Sequence, residues 1–182
     1  YGGLVNKNLV AKLQAVGVNA LGLTGADIDM IRSHKRPLKE GIDFGYVGDV
    51  DHANGNMLHT LIEAGIVPVM APLTHDGNGN ILNTNADTIA SETAKALAPY
   101  YDVTLMFCFE KKGVLSNPDD DDSVIPSITP EEFKALVADG TVAGGMIPKL
   151  ENSFNAIEHG VKQVVITLAS AIDGKHGTIL RG

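Results

Sequence analysis

The chain has no tryptophan and a single cysteine, Cys108, among 182 residues. One thiol cannot close a disulfide within the chain, so no cross-linked framework is expected. Cys108 sits in the apolar run "TLMFCF" and is expected to be a buried small hydrophobe, not a nucleophile. Basic residues are few: 14 Lys and Arg stand against 22 Asp and Glu, a net charge of −8. That balance argues against a nucleic-acid partner, because phosphate backbones are met by basic patches. An anionic small ligand can still be held where a few cations gather. No apolar run is long enough to cross a membrane and no leader pattern is visible; a cytoplasmic protein without a membrane partner is expected. Familiar nucleotide and nucleophile signatures are missing too: G-x-x-x-x-G-K-[ST], G-x-G-x-x-G and G-x-S-x-G do not occur. The histidines at 34, 52, 59, 75, 159 and 176 show no zinc spacing, and no metal ligands are assigned among them.

What is present is glycine, 20 residues of it, and 44% hydrophobic side chains, a composition suited to tight turns around a sizeable core. Leu9, Val10, Leu13 and Val16 recur at helical spacing and Gly17 follows as a stop. "NALGLTG" (19–25), "IVPVMAP" (66–72), "DVTLMFCF" (102–109) and "VKQVVITLA" (161–169) read as buried strands, and "GTIL" (177–180) closes the chain. Residues 27–49 read as a hairpin or a surface excursion. Met57, Leu58, Leu61 and Ile62 form a helix face ended by Gly65. Residues 85–98 form an alanine-rich helix. Thr129-Pro130-Glu131-Glu132 is a strong helix start: a cap, proline at the first position, acids in the first turn. That helix turns Phe133, Leu136 and Val137 inward and stops at Gly140. Another opens at "GGMIPK" (144–149), buries Ile147, Leu150, Phe154 and Ile157, and stops at Gly160. Apolar strands alternating with amphipathic helices imply an α/β protein with a mainly parallel sheet covered on both faces. Ligands of such folds bind beyond the carboxyl ends of strands, which points to the joints at 22–27, 83–87, 110–113 and 144–149.

Three stretches carry chemical interest. "THDGNGN" (74–80) places Asp76, Asn78 and Asn80 at the spacing of a calcium loop, but Ile81 occupies the position where that loop needs glycine; a hairpin tip is the better reading. Asn83, Asn85 and Asp87 arrive on alternate residues where a strand passes into a helix. They read either as cap and turn residues or as a polar cluster that binds substrate and holds a cation in place. In "GGMIPK" the glycines would let a phosphate approach the backbone, and the helix start offers N–H groups and partial positive charge. Lys149 there opposes the helix dipole. It is either a surface lysine or a cation aimed at an anion shared with the helix end. Together the two motifs suggest phosphoryl transfer, in which positioning and charge do most of the work.

On these residues the chain resembles the amino-acid kinase family, and within it the branch acting on N-acylated glutamate. The matching pieces are "GLVNKNLVAKL" (3–13), "ALGLTGAD" (20–27), "YVGDV" (46–50), "LIEAGIVPVMAPL" (61–73), "GNILNTNADTIA" (79–90) and "GGMIPKLENSFNAIEHGV" (144–161). The resemblance implies a three-layer α/β/α sandwich with a mainly parallel central sheet. It implies one domain over 1–182, with about 1–80 belonging to an acceptor lobe and about 81–182 to a nucleotide lobe. The implied activity is phosphorylation, by ATP with Mg2+, of the side-chain carboxylate of N-acetyl-L-glutamate or another N-acylglutamate such as N-succinylglutamate, in arginine biosynthesis. A regulatory domain of the same fold, or a kinase acting on carbamate, aspartate or a nucleotide, is the alternative. By the resemblance Asn83 contacts the acceptor, Asp87 organises the catalytic lysines and Lys149 stabilises the phosphoryl group in flight. Glu110, Lys111, Gly113, Gly145 and Met146 lie by the nucleotide, and a homodimer or higher homo-oligomer is expected. The family's first strand, glycine-rich loops and acceptor-binding arginine would precede Tyr1, so a piece of a longer protein is expected. Glu110 stands where relatives usually carry aspartate, and the segment between Ala169 and Gly177 is short.

Overall fold

The computed structural model describes residues 1–173 and 176–182; Gly174 and Lys175, inside the short segment noted above, lie outside the described residues. The chain divides into two compact units, Tyr1–Leu97 and Ala98–Gly182. The fold is α/β: parallel strand pairs outnumber antiparallel ones, and the described residues form five α-helices.

In the first unit α1 (Leu4–Ala15) ends where Gly17 turns left-handed at φ +84°, which glycine alone adopts without cost. β1 (Ala20–Leu23) pairs in parallel with β4 (Val67–Met70). α1 lies over them. Its Asn6 Nδ2 donates to the Val69 carbonyl at 2.8 Å and its Lys7 Nζ to the Gly22 carbonyl at 2.7 Å. The expectation of burial holds for β1 except at Leu21, which is 38% exposed, and is corrected for β4, where Val67 is 47% exposed and the other residues are half-buried. Among the described residues this sheet has two strands, too narrow for its helices to cover both faces.

The 27–49 stretch resolves into a hairpin. β2 (Ile31–Lys35) pairs antiparallel with β3 (Gly48–Ala53), and β2 also meets β5 (Leu73–His75) in parallel. β5 pairs antiparallel with β6 (Ile81–Asn83), and the tip between them is closed by Asp76. Its carboxylate accepts the backbone N–H of Asn78 and of Asn80 and the Asn80 side-chain amide, at 2.8, 3.1 and 2.7 Å. That is turn chemistry. α2 (Gly55–Glu63) is capped by Asn54, whose side chain accepts from Met57 N–H. It packs on α3 (Ala86–Leu97). Leu23, Met30, Ile31, Leu58 and Ile89 form the core of this unit.

In the second unit β7 (Thr104–Phe109) and β9 (Gln163–Leu168) run parallel, and the sheet order is β7-β9-β10-β8, with β8 at Ser127–Ile128 and β10 at Thr178–Leu180. α4 (Pro130–Ala138) carries the expected start as a complete capping box: Thr129 Oγ1 accepts from Glu132 N–H, and Glu132 Oε2 accepts from Thr129 N–H at 2.8 Å. α5 (Met146–Glu158) buries Leu150, Ser153, Phe154 and Ala156. Phe154 meets Phe133 of α4 with ring centroids 5.5 Å apart. No helix among the described residues is long and apolar enough to cross a membrane.

Two backbone constraints are sharp enough to test. A Cβ on Gly55 would lie 2.0 Å from the Ala96 carbonyl oxygen, so Gly55→Ala must prise α2 from α3. It should cost about 3 kcal/mol, the upper range for overpacking. Ile28 sits at φ +46°, ψ +35°, a region costly for a β-branched residue, so Ile28→Gly should gain roughly 1 kcal/mol. Urea denaturation of the two variants checks both signs.

Candidate active site

Cys108, Phe109, Glu110, Lys111 and Gly113 from the end of β7 and Gly145, Met146 and Lys149 from the start of α5 line one cavity of about 670 Å³, with Ala169 completing it. The arrangement follows from topology. β7 and β9 run parallel and end side by side, Phe109 opposite Leu168, so the loops leaving both strands open at one sheet edge, beyond the carboxyl ends. A second cavity of about 260 Å³ shares Lys111, Gly113 and Met146 and continues along Val114, Leu115, Pro118 and the 140–143 turn. Its walls are mostly apolar.

Gly113 is where the loop after β7 passes β10 most closely. A Cβ there would lie 2.8 Å from Thr178 Oγ1. The Thr178 hydroxyl is fully buried; it donates to the Ile125 carbonyl at 2.7 Å and accepts from Val114 N–H at 2.8 Å. At the other wall Gly144 turns at φ +56°, and Gly145 has open space where a side chain would stand. The helix end differs from expectation in one respect. Met146 and Ile147 N–H donate to the carbonyls of Ala143 and Gly144 at 3.2 and 3.3 Å, and Pro148 has no N–H. Those helix-start donors are spent on the preceding turn. What the end of α5 offers an anion is its dipole and Lys149.

The cations are held in two ways. Lys111 Nζ donates to Asp121 at 2.7 Å and Lys112 Nζ to Asp122 at 2.5 Å. Each pairing holds its lysine above the ordinary value, through the hydrogen bond first and charge second, and the same bond holds Asp121 below the usual carboxylate range. Lys149 is half-buried, and its ammonium lies 3.6 Å from the centroid of the Phe109 ring. Cys108 corrects an expectation: it is exposed and lines the cavity. Strand alternation is the reason, since Leu105 and Phe107 take the buried face of β7 and leave Cys108 on the other. That period was readable in "TLMFCF". The contribution of Ala169 had no local signal, because it depends on β9 lying beside β7.

Asn83, Asn85 and Asp87 belong to the first unit. Leu82 and Thr84 point inward, and Asn83 and Asn85 alternate outward with exposed side chains. Asn85 is the cap of α3: its Oδ1 accepts Thr88 N–H at 3.1 Å and its carbonyl accepts Ile89 N–H at 3.0 Å. Asn83 N–H donates to the Tyr46 carbonyl at 2.7 Å. Asp87 is half-buried in the first turn of α3. The joint at 22–27 has spent its polar groups locally. Asp27 accepts Thr24 N–H at 2.6 Å and the Thr24 hydroxyl at 2.8 Å, which lowers its pKa, the backbone bond first. Nearby, Asp29 accepts from His75 Nε2 at 2.7 Å and from Arg32. Gly77 N–H donates to His75 Nδ1, so Nε2 carries the proton that reaches Asp29. Among the described residues no group of three or more carboxylates, imidazoles or thiols is placed to hold a metal ion.

Comparison with known proteins gives a consistent family. The model described as the amino acid kinase family matches residues 1–168. A protein named acetylglutamate kinase from Phocaeicola vulgatus is 70% identical over 181 residues, covering 100% of this chain and 70% of the relative. The crystal structure of smu.665 from Streptococcus mutans UA159 superposes with a TM-score of 0.78 at 32% identity, over 98% of this chain and 67% of that one. N-acetylglutamate synthase from Neisseria gonorrhoeae, complexed with coenzyme A and N-acetyl-glutamate, gives a TM-score of 0.82 at 19% identity over 98% and 41%; that likeness is one of fold.

The polar triplet splits by role, and stability measurements should show it. Asn85→Ala removes the α3 cap and should cost about 1 kcal/mol. Asn83→Ala should stay within about 0.5 kcal/mol of the parent, as exposed substitutions do. Chemical denaturation of the two variants side by side checks the split.

Proposed function

The chain belongs to the amino acid kinase family, and we propose that it is an ATP-dependent kinase that phosphorylates the side-chain carboxylate of N-acetyl-L-glutamate, the first activation step toward arginine. The observation that carries the reading is the cavity of about 670 Å³, which gathers Glu110, Lys111 and Gly113 with Gly145, Met146 and Lys149. Its size suits a nucleotide. The apolar slot beside it, with Val114, Leu115 and Val142, suits a purine, leaving the phosphates toward the lysines. The name carried by the Phocaeicola vulgatus relative supports the acceptor.

In this reading a carboxylate oxygen of the acceptor attacks the γ-phosphorus of ATP in line. The new O–P bond forms as the bond to the β,γ-bridging oxygen breaks, and ADP and an acyl phosphate result. No strong base is required, because the attacking group is already an anion. Lys149 meets the charge spread over the transferring oxygens. Asn83 contacts the acceptor and Asp87 organises the catalytic cations. Glu110, Lys111, Gly113, Gly145 and Met146 hold the nucleotide. Mg2+ would arrive with the nucleotide, taking most of its ligands from phosphates and water. Glu110 is the carboxylate that the cavity itself supplies, and the ion would neutralise phosphate charge. Cytoplasmic location and self-association as a homodimer or higher homo-oligomer complete the reading; exposed Leu4, Val5 and Leu9 on α1 support the latter.

Calorimetric titration of the folded chain with MgADP tests the nucleotide assignment: saturable binding supports it, and a folded chain that binds none removes it. Lys149→Ala should lower turnover about 10²–10³-fold, the usual cost of one transition-state donor, while thermal stability stays close to the parent. Turnover near the parent's would remove Lys149 from the chemistry.

A further inference from the structure

Resting on the kinase reading, we propose that Asp121 is a built-in competitor of the nucleotide: its carboxylate occupies Lys111, and a phosphate must displace it to take that lysine. Lys111 lines both neighbouring cavities, the one of about 670 Å³ and the apolar slot beside it. Its Nζ donates to Asp121 Oδ1 at 2.7 Å. Lys112, the next residue, lines a different cavity with Val124, Pro126 and Leu168, and it pairs with Asp122. One of the two ion pairs therefore belongs to the proposed nucleotide site and the other does not.

The turn that carries the acids is built to present them. Leu115 bridges Val124 antiparallel, and Ser116 N–H donates to the Ser123 carbonyl at 2.9 Å, so the chain folds back on itself as an arm. Asn117 Oδ1 accepts Asp119 N–H at 3.1 Å, and Asp120 Oδ1 accepts Asp122 N–H at 2.9 Å. The Ser123 hydroxyl accepts Asn117 N–H at 3.0 Å and donates to the Asp120 carbonyl at 2.7 Å. Asp120 thus goes into building the turn, while Asp121 and Asp122 reach the lysines. A carboxylate delivered in this way meets Lys111 as an intramolecular ligand, at an effective concentration with which a free anion must compete. The contact is also exchangeable. The Lys111 and Asp121 side chains are 54% and 62% exposed, and exposed ion pairs are weak. A nucleotide sets several phosphate charges against one carboxylate. Pro118 of the same arm lines the apolar slot, so the acid that competes and the wall of the slot are carried on one arm.

The test has two independent readouts on the intact chain. In calorimetry with MgADP, Asp121→Asn should tighten binding about twofold to fivefold, the span of one exposed ion pair. Asp122→Asn should gain less, and Asp102→Asn, which removes a carboxylate paired with Lys162 before the start of β7, should gain nothing. In a Lys111→Ala background the gain from Asp121→Asn should vanish, as a shared interaction requires. The second readout is the Asp121 carboxyl carbon in isotopically labelled protein, followed by NMR against pH. Its hydrogen bond from Lys111 holds the group below the usual carboxylate range, and saturating MgADP should return it upward as Lys111 leaves. Affinity of Asp121→Asn equal to or below the parent's overturns the proposal. An equal gain with and without Lys111 shows that the acid acts on the nucleotide by general repulsion, and overturns the competition for Lys111. An Asp121 titration unmoved by saturating MgADP shows that the pair survives binding, and overturns it as well. A folded chain that shows the lowered Asp121 titration but binds no MgADP removes the nucleotide assignment, and the competition with it.

Discussion

One buried hydroxyl holds the cavity wall in place. Thr178 Oγ1 accepts from Val114 N–H and donates to the Ile125 carbonyl, tying the loop after β7 to the end of the 116–125 excursion and to β10 at once. Gly113 is the position that lets the loop come close enough, since any side chain there would meet that hydroxyl and Val124. The Ile125 N–H, donating to the Val114 carbonyl at 2.8 Å, and the bridge between Leu115 and Val124 add to this tie. A buried hydroxyl that uses both its donor and its acceptor capacity is stable where it is, and leaving either partner unmet would carry the full cost of desolvation. The geometry of this cavity wall thus draws on a contact between residues 64 apart in the chain.

The acidic net charge, which argues against a nucleic-acid partner but leaves room for a small anion, is organised. Carboxylates of the 116–123 loop are matched to Lys111 and Lys112. These pairs are solvent-exposed and contribute little stability. Their consequence is local, in that Lys111 reaches a phosphate only in exchange for Asp121. Lys149 is held against a ring and from the start of a helix, where the dipole already favours an anion. An acidic protein thus places two of its lysines, Lys111 and Lys149, along one cavity.

The first unit shows the same economy of backbone. Asn6 and Lys7 of α1 reach across to carbonyls of β4 and β1, and the absence of a side chain on Gly22 is what lets α1 sit that close. Thr74 and Thr84 share a hydrogen bond in the interior at 2.9 Å, fixing where β6 ends and therefore where Asn83 emerges. Asn85 then starts α3 and places Asp87 in its first turn. The three polar residues are one outward strand residue, one cap and one helix residue.

The helices, most strands and their stops were legible because their signals are local. The box at Thr129–Glu132, the turn at Asp76–Asn80 and the glycines at 17, 65, 140 and 160 act within a few residues of themselves. The exposure of Cys108 was legible too, had strand alternation been weighed above apolar composition. Tertiary structure alone decided the rest. The strand at 67–70 came out exposed at Val67 and half-buried beyond it, while its partner at 20–23 is buried except at Leu21. Ala169 joined the cavity because β9 lies beside β7, the helix-start N–H groups of α5 were spent on a preceding turn, and Lys149 came to rest on Phe109. Each of these depends on strand order, register or a contact between distant residues, and no periodicity of 2 or 3.6 residues encodes which distant segment a side chain will meet.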